Sequence, residues 1–223
     1  MASRDDQLPA DHPALHIPAS AGLGAARQAV ADCHACDLSE RATQAVFGEG
    51  REHAPLMLVG EQPGDREDRS GRPFVGPAGR ILDDALAAAG IARETVFVSN
   101  VVKHFKWRPS GKRRLHERPN AAEVGACRPW LDLELEIVRP DLLVCLGATA
   151  AQAIIGGEFR ITERRGEIIT GVDGRPPVLA TFHPSAILRA RTPDDRERSM
   201  AALVADLSSA AELVATGGAA SRA

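Results

Sequence analysis

The chain has little cysteine, no long apolar run and no surplus of positive charge, and each shortage removes a class of function. No window approaches the roughly 20 uninterrupted apolar residues of a membrane span, and the first 22 residues ("MASRDDQLPADHPALHIPASAG") lack the apolar core of a secretory signal. A cytoplasmic location without membrane attachment is expected. In that compartment four cysteines among 223 residues are metal ligands or buried thiols rather than a disulfide framework. A net charge of -3 and a pI near 6.2 argue against a general nucleic-acid coat protein. There is no internal repeat, and neither the G-x-G-x-x-G nor the Walker spacing of a nucleotide-binding loop occurs.

What is present is an ordinary globular composition, 44% apolar and 26% charged, long enough for one domain with a sizeable core. Four short apolar runs end in small or polar residues: "LMLVGEQ" (56–62), "TVFVSN" (95–100), "DLLVCLGA" (141–148) and "PVLATFHP" (177–184). Their β-branched, near-continuous apolarity predicts strands covered on both faces. Helical patterns lie between and after them. One opens at Pro77 and closes at Gly90, one follows Asn120 as N-cap, and one runs from Thr192. Strands alternating with helices predict a three-layer α/β/α sandwich around a central, mainly parallel four-stranded sheet. A single domain is expected over residues 23–214, with disordered tails at 1–22 and 215–223.

In such sheets reactive groups gather beyond the carboxyl ends of the strands. Those ends carry Glu61 and Gln62, Asn100, and His183. Each has a plain structural reading: Asn100 as a turn former, His183 as a structural imidazole before Pro184, and Phe74 in the long loop "GEQPGDREDRSGRPFVGPAG" (60–79) as a core plug. Three polar signals at three strand ends favour one site. The Asn100 amide offers a donor beside an acceptor, the pattern that reads a pyrimidine edge. Cys33 and Cys36 form a C-x-x-C pair, Cys127 falls within the helix after Asn120, and Cys145 sits in an apolar strand as a small core residue. A metal site would need a fourth ligand, and His104 or His34 could supply it.

One stretch breaks the overall charge balance. Between Lys103 and Arg118 there are seven Lys or Arg against one acid, Glu117, and the run ends in "KRRLH" (112–116). Its bland reading is a loop that touches DNA backbone.

Taken as an ordered set over residues 30–190, "CHAC", "GEQPGD", "GRPFVGPAG", "VSNVVK", "ACRPW", "LGATAA" and "FHPS" resemble the uracil-DNA glycosylase superfamily, and within it the iron-sulfur branch known as family 4. Two departures matter. Where that branch carries a cluster cysteine, this chain has His104, so the resemblance implies a [4Fe-4S] cluster on Cys33, Cys36, His104 and Cys127. The "KRRLH" segment is similar to that of the variant called UdgX, which becomes covalently attached to uracil-containing DNA.

The resemblance implies that Phe74 stacks on uracil, Asn100 pairs with its O4 and N3–H edge, and His183 donates to the O2 on which charge develops. Gln62 stands where some branches carry a water-activating Asp, and Gln62 is not a base. The sugar cation is therefore expected to meet His116, with Glu61 orienting it or positioning water, while Lys112, Arg113 and Arg114 grip phosphates. Gly60, Gly64, Asp65 and Ser185 complete the expected substrate contacts, and Arg114 also counts among the catalytic positions. The expected partner is uracil-containing DNA, single strands preferred, acted on by a monomer. A plain hydrolytic glycosylase and a non-catalytic uracil-DNA reader are the competing readings.

Overall fold

The computed structural model describes residues 12–220, with side chains through residue 216. Its elements in chain order are α1 (Gly22–Val30), α2 (Leu38–Arg41), β1 (Leu56–Gly60), α3 (Asp65–Ser70), α4 (Pro77–Ala88), β2 (Val96–Asn100), β3 (Trp107–Ser110), β4 (Arg113–His116), α5 (Ala121–Val138), β5 (Leu142–Leu146), α6 (Ala148–Ile154), α7 (Ile161–Arg164), β6 (Ile168–Ile169), β7 (Val178–Thr181), α8 (Pro184–Leu188) and α9 (Pro193–Ala220). The four apolar runs are the four parallel strands, and every residue of β1, β2, β5 and β7 is buried. Sheet order is β2-β1-β5-β7-β6. The fifth strand, absent from the expected count of four, is a two-residue antiparallel edge on β7, too short and too exposed to show as an apolar run.

Alternation along the buried strands divides the core. Met57, Val59, Phe97 and Cys145 face a cluster with α1 and α5 residues such as Ala26, Val30, Trp130 and Leu131. Leu58, Val98 and Val144 face Leu82 and Leu86 of α4 and Leu203 and Leu207 of α9. By length and composition alone α9 could cross a bilayer; here its Leu203, Leu207 and Ala210 are buried and it packs on α4 and α8. The start of α5 is fixed as its sequence predicts, by a reciprocal capping box between Asn120 and Glu123.

Two boundaries differ from expectation. Residues 13–16 and 19–21, placed in an N-terminal tail, form 3-10 turns packed on α1 and α5, because Ala14 and His12 are buried there, the His12 ring edge-on to Trp130. Residues 1–11 of that tail lie outside the described residues. The tail expected from 215 is instead helical to Ala220, with 221–223 outside the described residues. The cationic segment 107–116 is also not an open loop. It is an antiparallel hairpin, β3 on β4, turned by Gly111 at φ +57°.

Candidate active site

Residues at three strand tips and on the hairpin come together. Gly60 ends β1 beside Asn100, which ends β2. A Cβ at Gly60 would lie 2.5 Å from Asn100 Oδ1 and 2.8 Å from Phe74 Cζ, so only glycine lets amide and ring come this close. Phe74 is held at φ +55°, a strained value for a bulky residue. Its carbonyl packs where a Cβ at Gly79 would be, and the loop is braced by buried Glu67, which accepts the Gly76 N–H at 2.7 Å. A Cβ at Gly64 would in turn meet Glu67 Oε2 at 2.7 Å, so this glycine serves the brace. Asn100 is 2% exposed and its Oδ1 has no hydrogen-bond partner among the described residues. An orphan buried carbonyl is an acceptor waiting for a donor.

His183 lies against Phe74, ring centroids 6.2 Å apart and 30° from parallel. The Ser185 backbone N–H donates to its Nδ1 at 3.0 Å. A peptide N–H can only donate, so the neutral ring carries its proton on Nε2. Burial pushes the His183 pKa down to about 4, against the pull of Glu61. The ring is therefore a neutral donor. Ser185, expected to touch substrate, instead fixes the tautomer, its hydroxyl also 2.8 Å from Nδ1.

Glu61 links the tips to the hairpin. Its Oε1 lies 3.2 Å from His116 Nε2, and its Oε2 accepts from the Thr149 hydroxyl. Burial raises its pKa, but the hydrogen bonds from His116 and Thr149, with the electrostatic pull of the two nearby imidazoles, reverse this and hold it below the ordinary carboxylate value. Thr149 was not singled out in the sequence, although it lies in the "LGATAA" motif just after the strand β5. The His116 side chain is 51% exposed, open to a ligand on one side and anchored to Glu61 on the other.

The remaining expected contacts divide differently from their sequence reading. Gln62 is buried, and its whole amide is committed. Nε2 donates to the carbonyls of Lys106 (3.3 Å) and Glu117 (2.9 Å), and Oε1 accepts the Lys106 N–H at 2.9 Å. It clamps both feet of the hairpin and is not placed to hold water. Arg114 turns away from solvent. Its guanidinium pairs with Asp65 at 2.5 Å and with fully buried Asp68 at 2.6 Å, lying 5.4 Å from each of the Phe105 and Trp107 rings. Both carboxylates therefore already claim Arg114, and Asp65, its side chain 42% exposed, is shared between Arg114 and Arg69. Lys112 and Arg113 are exposed at the hairpin tip.

The four expected cluster ligands lie where β2's extension, α5 and the segment after α1 meet. Each thiol receives an N–H: Cys33 from the Trp130 indole at 3.1 Å, Cys127 from the Lys103 backbone at 3.1 Å, and Cys36 from Leu38. Such donors stabilise sulfur that carries negative charge, as cluster thiolates do. Without a metal, burial pushes the Cys127 thiol up to about 12 and the Cys36 thiol upward as well, with the neighbouring thiols adding to both shifts. His104 is buried and its pKa is lowered by burial to about 4, so its imidazole is neutral and able to ligate. No three His, Cys, Asp or Glu converge on a single ion among the described residues; a multi-iron cluster instead asks one ligand of each iron. The donor set fits the group. Cys145 is buried in β5, apart from this set.

Comparison with known proteins agrees with this geometry. A family model described as the uracil DNA glycosylase superfamily matches residues 47–208. The chain is 43% identical to a Type-4 uracil-DNA glycosylase of Thermotoga maritima over 164 residues, 73% of this chain and 81% of that protein. A Type-4 uracil-DNA glycosylase of Archaeoglobus fulgidus is 38% identical, covering 71% and 79%. A Type-5 uracil-DNA glycosylase of Pyrobaculum aerophilum is 32% identical, covering 60% and 63%. The chain belongs to the uracil-DNA glycosylase superfamily.

Proposed function

We propose that this protein excises uracil from DNA and is left covalently joined, through His116, to the deoxyribose C1′ it exposes. The observation that carries the reading is the pair formed at the pocket mouth: a buried, unpartnered Asn100 Oδ1 on one side and a His116 imidazole 3.2 Å from an ionised Glu61 on the other.

A base can reach this buried pocket only from a single strand or after leaving the helical stack. Asn100 Oδ1 would then accept uracil N3–H while its amide N–H donates to O4. Cytosine presents an acceptor at N3 and would leave two acceptors facing each other. Phe74, fixed by its loop, supplies the stacking face. As the glycosidic bond breaks, its electron pair leaves on uracil and charge gathers at O2. The His183 Nε2–H is a neutral donor suited to that charge, and a neutral donor does not pass its proton on prematurely.

The sugar carbon is then electron-poor. Gln62 offers no base to activate water. An imidazole lone pair of His116 forms the new bond to C1′, and Glu61 accepts the ring proton that the alkylated imidazole releases. Atoms and charge balance without any further reactant. Imidazole on an acetal-like carbon leaves poorly without acid, so one molecule performs one event.

Cys33, Cys36, Cys127 and His104 would hold a [4Fe-4S] cluster, whose contribution is to tie the segment after α1 to α5 beneath the site. The residues of the strand tips and the hairpin, not the cluster, carry the reaction.

Uracil-DNA mixed with the protein and boiled in detergent is expected to migrate with the protein, and peptide mapping to find the adduct on His116. His116→Ser is expected to give no adduct but to release free uracil, because the base pocket is intact and water takes the vacated place. Parent protein that releases uracil with no protein-DNA band would leave only ordinary hydrolysis.

A further inference from the structure

Behind the base pocket, on the opposite face of β2, lies a charged cluster that the reaction above does not use. Lys103 and Glu134 are both fully buried, and they meet at 2.8 Å. The ammonium's three protons are all placed: on Glu134 Oε2, on Ser99 Oγ at 2.8 Å and on the Asn100 main-chain carbonyl at 2.9 Å. Glu134 is as fully engaged, accepting Ser99 Oγ–H at 2.6 Å and the Gly48 N–H at 2.8 Å. Two charges without exposed surface rarely contribute more to stability than apolar groups of the same volume, since desolvation offsets their attraction. Their retention calls for another reason, and position supplies one.

Ser99 and Asn100 are successive strand residues, so their side chains leave opposite faces of the sheet. Ser99 points toward α5, where Glu134 sits; Asn100 points toward Phe74. The strand ends here, and Gly60, its neighbour, has no side chain with which to hold the Asn100 amide. Lys103 grips the carbonyl of Asn100 from behind, while the Val101 and Val102 N–H groups that follow it donate across to the Gly60 and Glu61 carbonyls.

We infer that Lys103, held by Glu134 and Ser99, is a positioning residue that sets the orientation of the Asn100 amide toward the uracil edge. This rests on the reading of Asn100 as the base-reading group. The lysine touches no substrate. It acts through the backbone of the residue that does.

The test is a double-mutant cycle on the full chain, measuring single-turnover loss of uracil from DNA together with melting temperature and bound iron. The paired change Lys103→Met/Glu134→Leu removes both charges at similar volume, so neither is left alone. It is expected to melt near the parent and retain the parent's iron while reacting about tenfold more slowly. Asn100→Ala is expected to react far more slowly still. Adding the paired change to Asn100→Ala should then cost nothing more, because the lysine acts only through that amide. A paired variant as fast as the parent, or losses that multiply in the combined variant, would overturn the inference while leaving the base reading intact. A parent inert on uracil-DNA would overturn both. Should the paired variant not fold, Ser99→Ala enters the same cycle with an expected loss of about threefold, again absent in the Asn100→Ala background.

Discussion

The wall of the pocket made by the strand tips and the wall made by the hairpin differ in what holds them. Asn100 and Phe74 are buried, and each is fixed by close backbone packing at Gly60, Gly79 and the Lys103 cluster. His116 stands on a strand of four residues, paired only with β3, its side chain half exposed. The hairpin carries no apolar core of its own. It is held by one amide at its feet, by Arg114 at its flank and by the Trp107 indole, which donates to the Arg41 carbonyl at 3.0 Å. The difference matches the two tasks proposed for them. Recognition of a base requires a rigid, dry edge, whereas delivery of a nucleophile requires one arm, correctly aimed.

That division can be broken at Gln62. Gln62→Leu keeps the volume but removes all three bonds to the hairpin feet, and it touches none of the tips. The covalent adduct is expected to form about tenfold more slowly, with the release of uracil slowed less. Quenched time courses that score free uracil and protein-bound DNA separately would show it. An equal loss of both products would mean that Gln62 serves the base pocket as well, and the two walls would have to be treated as one.

The tip wall can be probed by acid. His183 is neutral in the folded protein down to about pH 4, whereas the same imidazole exposed in the unfolded chain takes up its proton near 6.5. The unfolded state therefore binds more protons between those values. The stability contributed by the buried neutral ring is complete above about pH 6.5 and is lost as pH falls toward 4. One such group tilts the curve by at most about 1.4 kcal/mol per pH unit. Melting temperatures taken from pH 7 to 4.5 are expected to fall, and less steeply in His183→Gln, which keeps an acceptor for the Ser185 N–H. A variant with an unchanged slope would mean that His183 is more hydrated than the packing indicates.

The same contrast explains which parts could be read from the sequence. The strand tips were legible because continuous apolar runs have few alternatives to a buried parallel strand, and polar residues at their ends then fall on one edge. The hairpin was not, since its strands are short, contain Pro109 and carry charge on both faces. Nor could its arginines be told apart. Arg113 and Arg114 are adjacent, but the partners that claim Arg114 lie 46 and 49 residues away on α3. Lys103 counted as one more cation of a basic loop, yet Glu134, 31 residues on and apparently one charge on a helix surface, draws it into the core. Pairing across such distances is a property of the folded packing, and local pattern carries no trace of it.

The smallest expected effect separates the hairpin's own residues. Lys112 and Arg113 are exposed and form no ion pair among the described residues, whereas Arg114 is already neutralised by Asp65 and Asp68. Affinity for DNA falls with salt in proportion to the phosphates a protein neutralises, so each lost phosphate contact lowers the slope of log affinity against log salt by about 0.7 to 0.9. Lys112→Ala and Arg113→Ala are each expected to flatten that slope by up to this amount. The measurement is best made by anisotropy titration between low and moderate salt, in a His116→Ser background that cannot trap the DNA. Arg114→Met is expected to leave the slope unchanged and instead to lower the melting temperature, because it strands the Asp68 carboxylate in a dry place. A flattened slope in Arg114→Met would show that this guanidinium leaves its two carboxylates when DNA arrives, and the hairpin would then have to shift on its flank during binding.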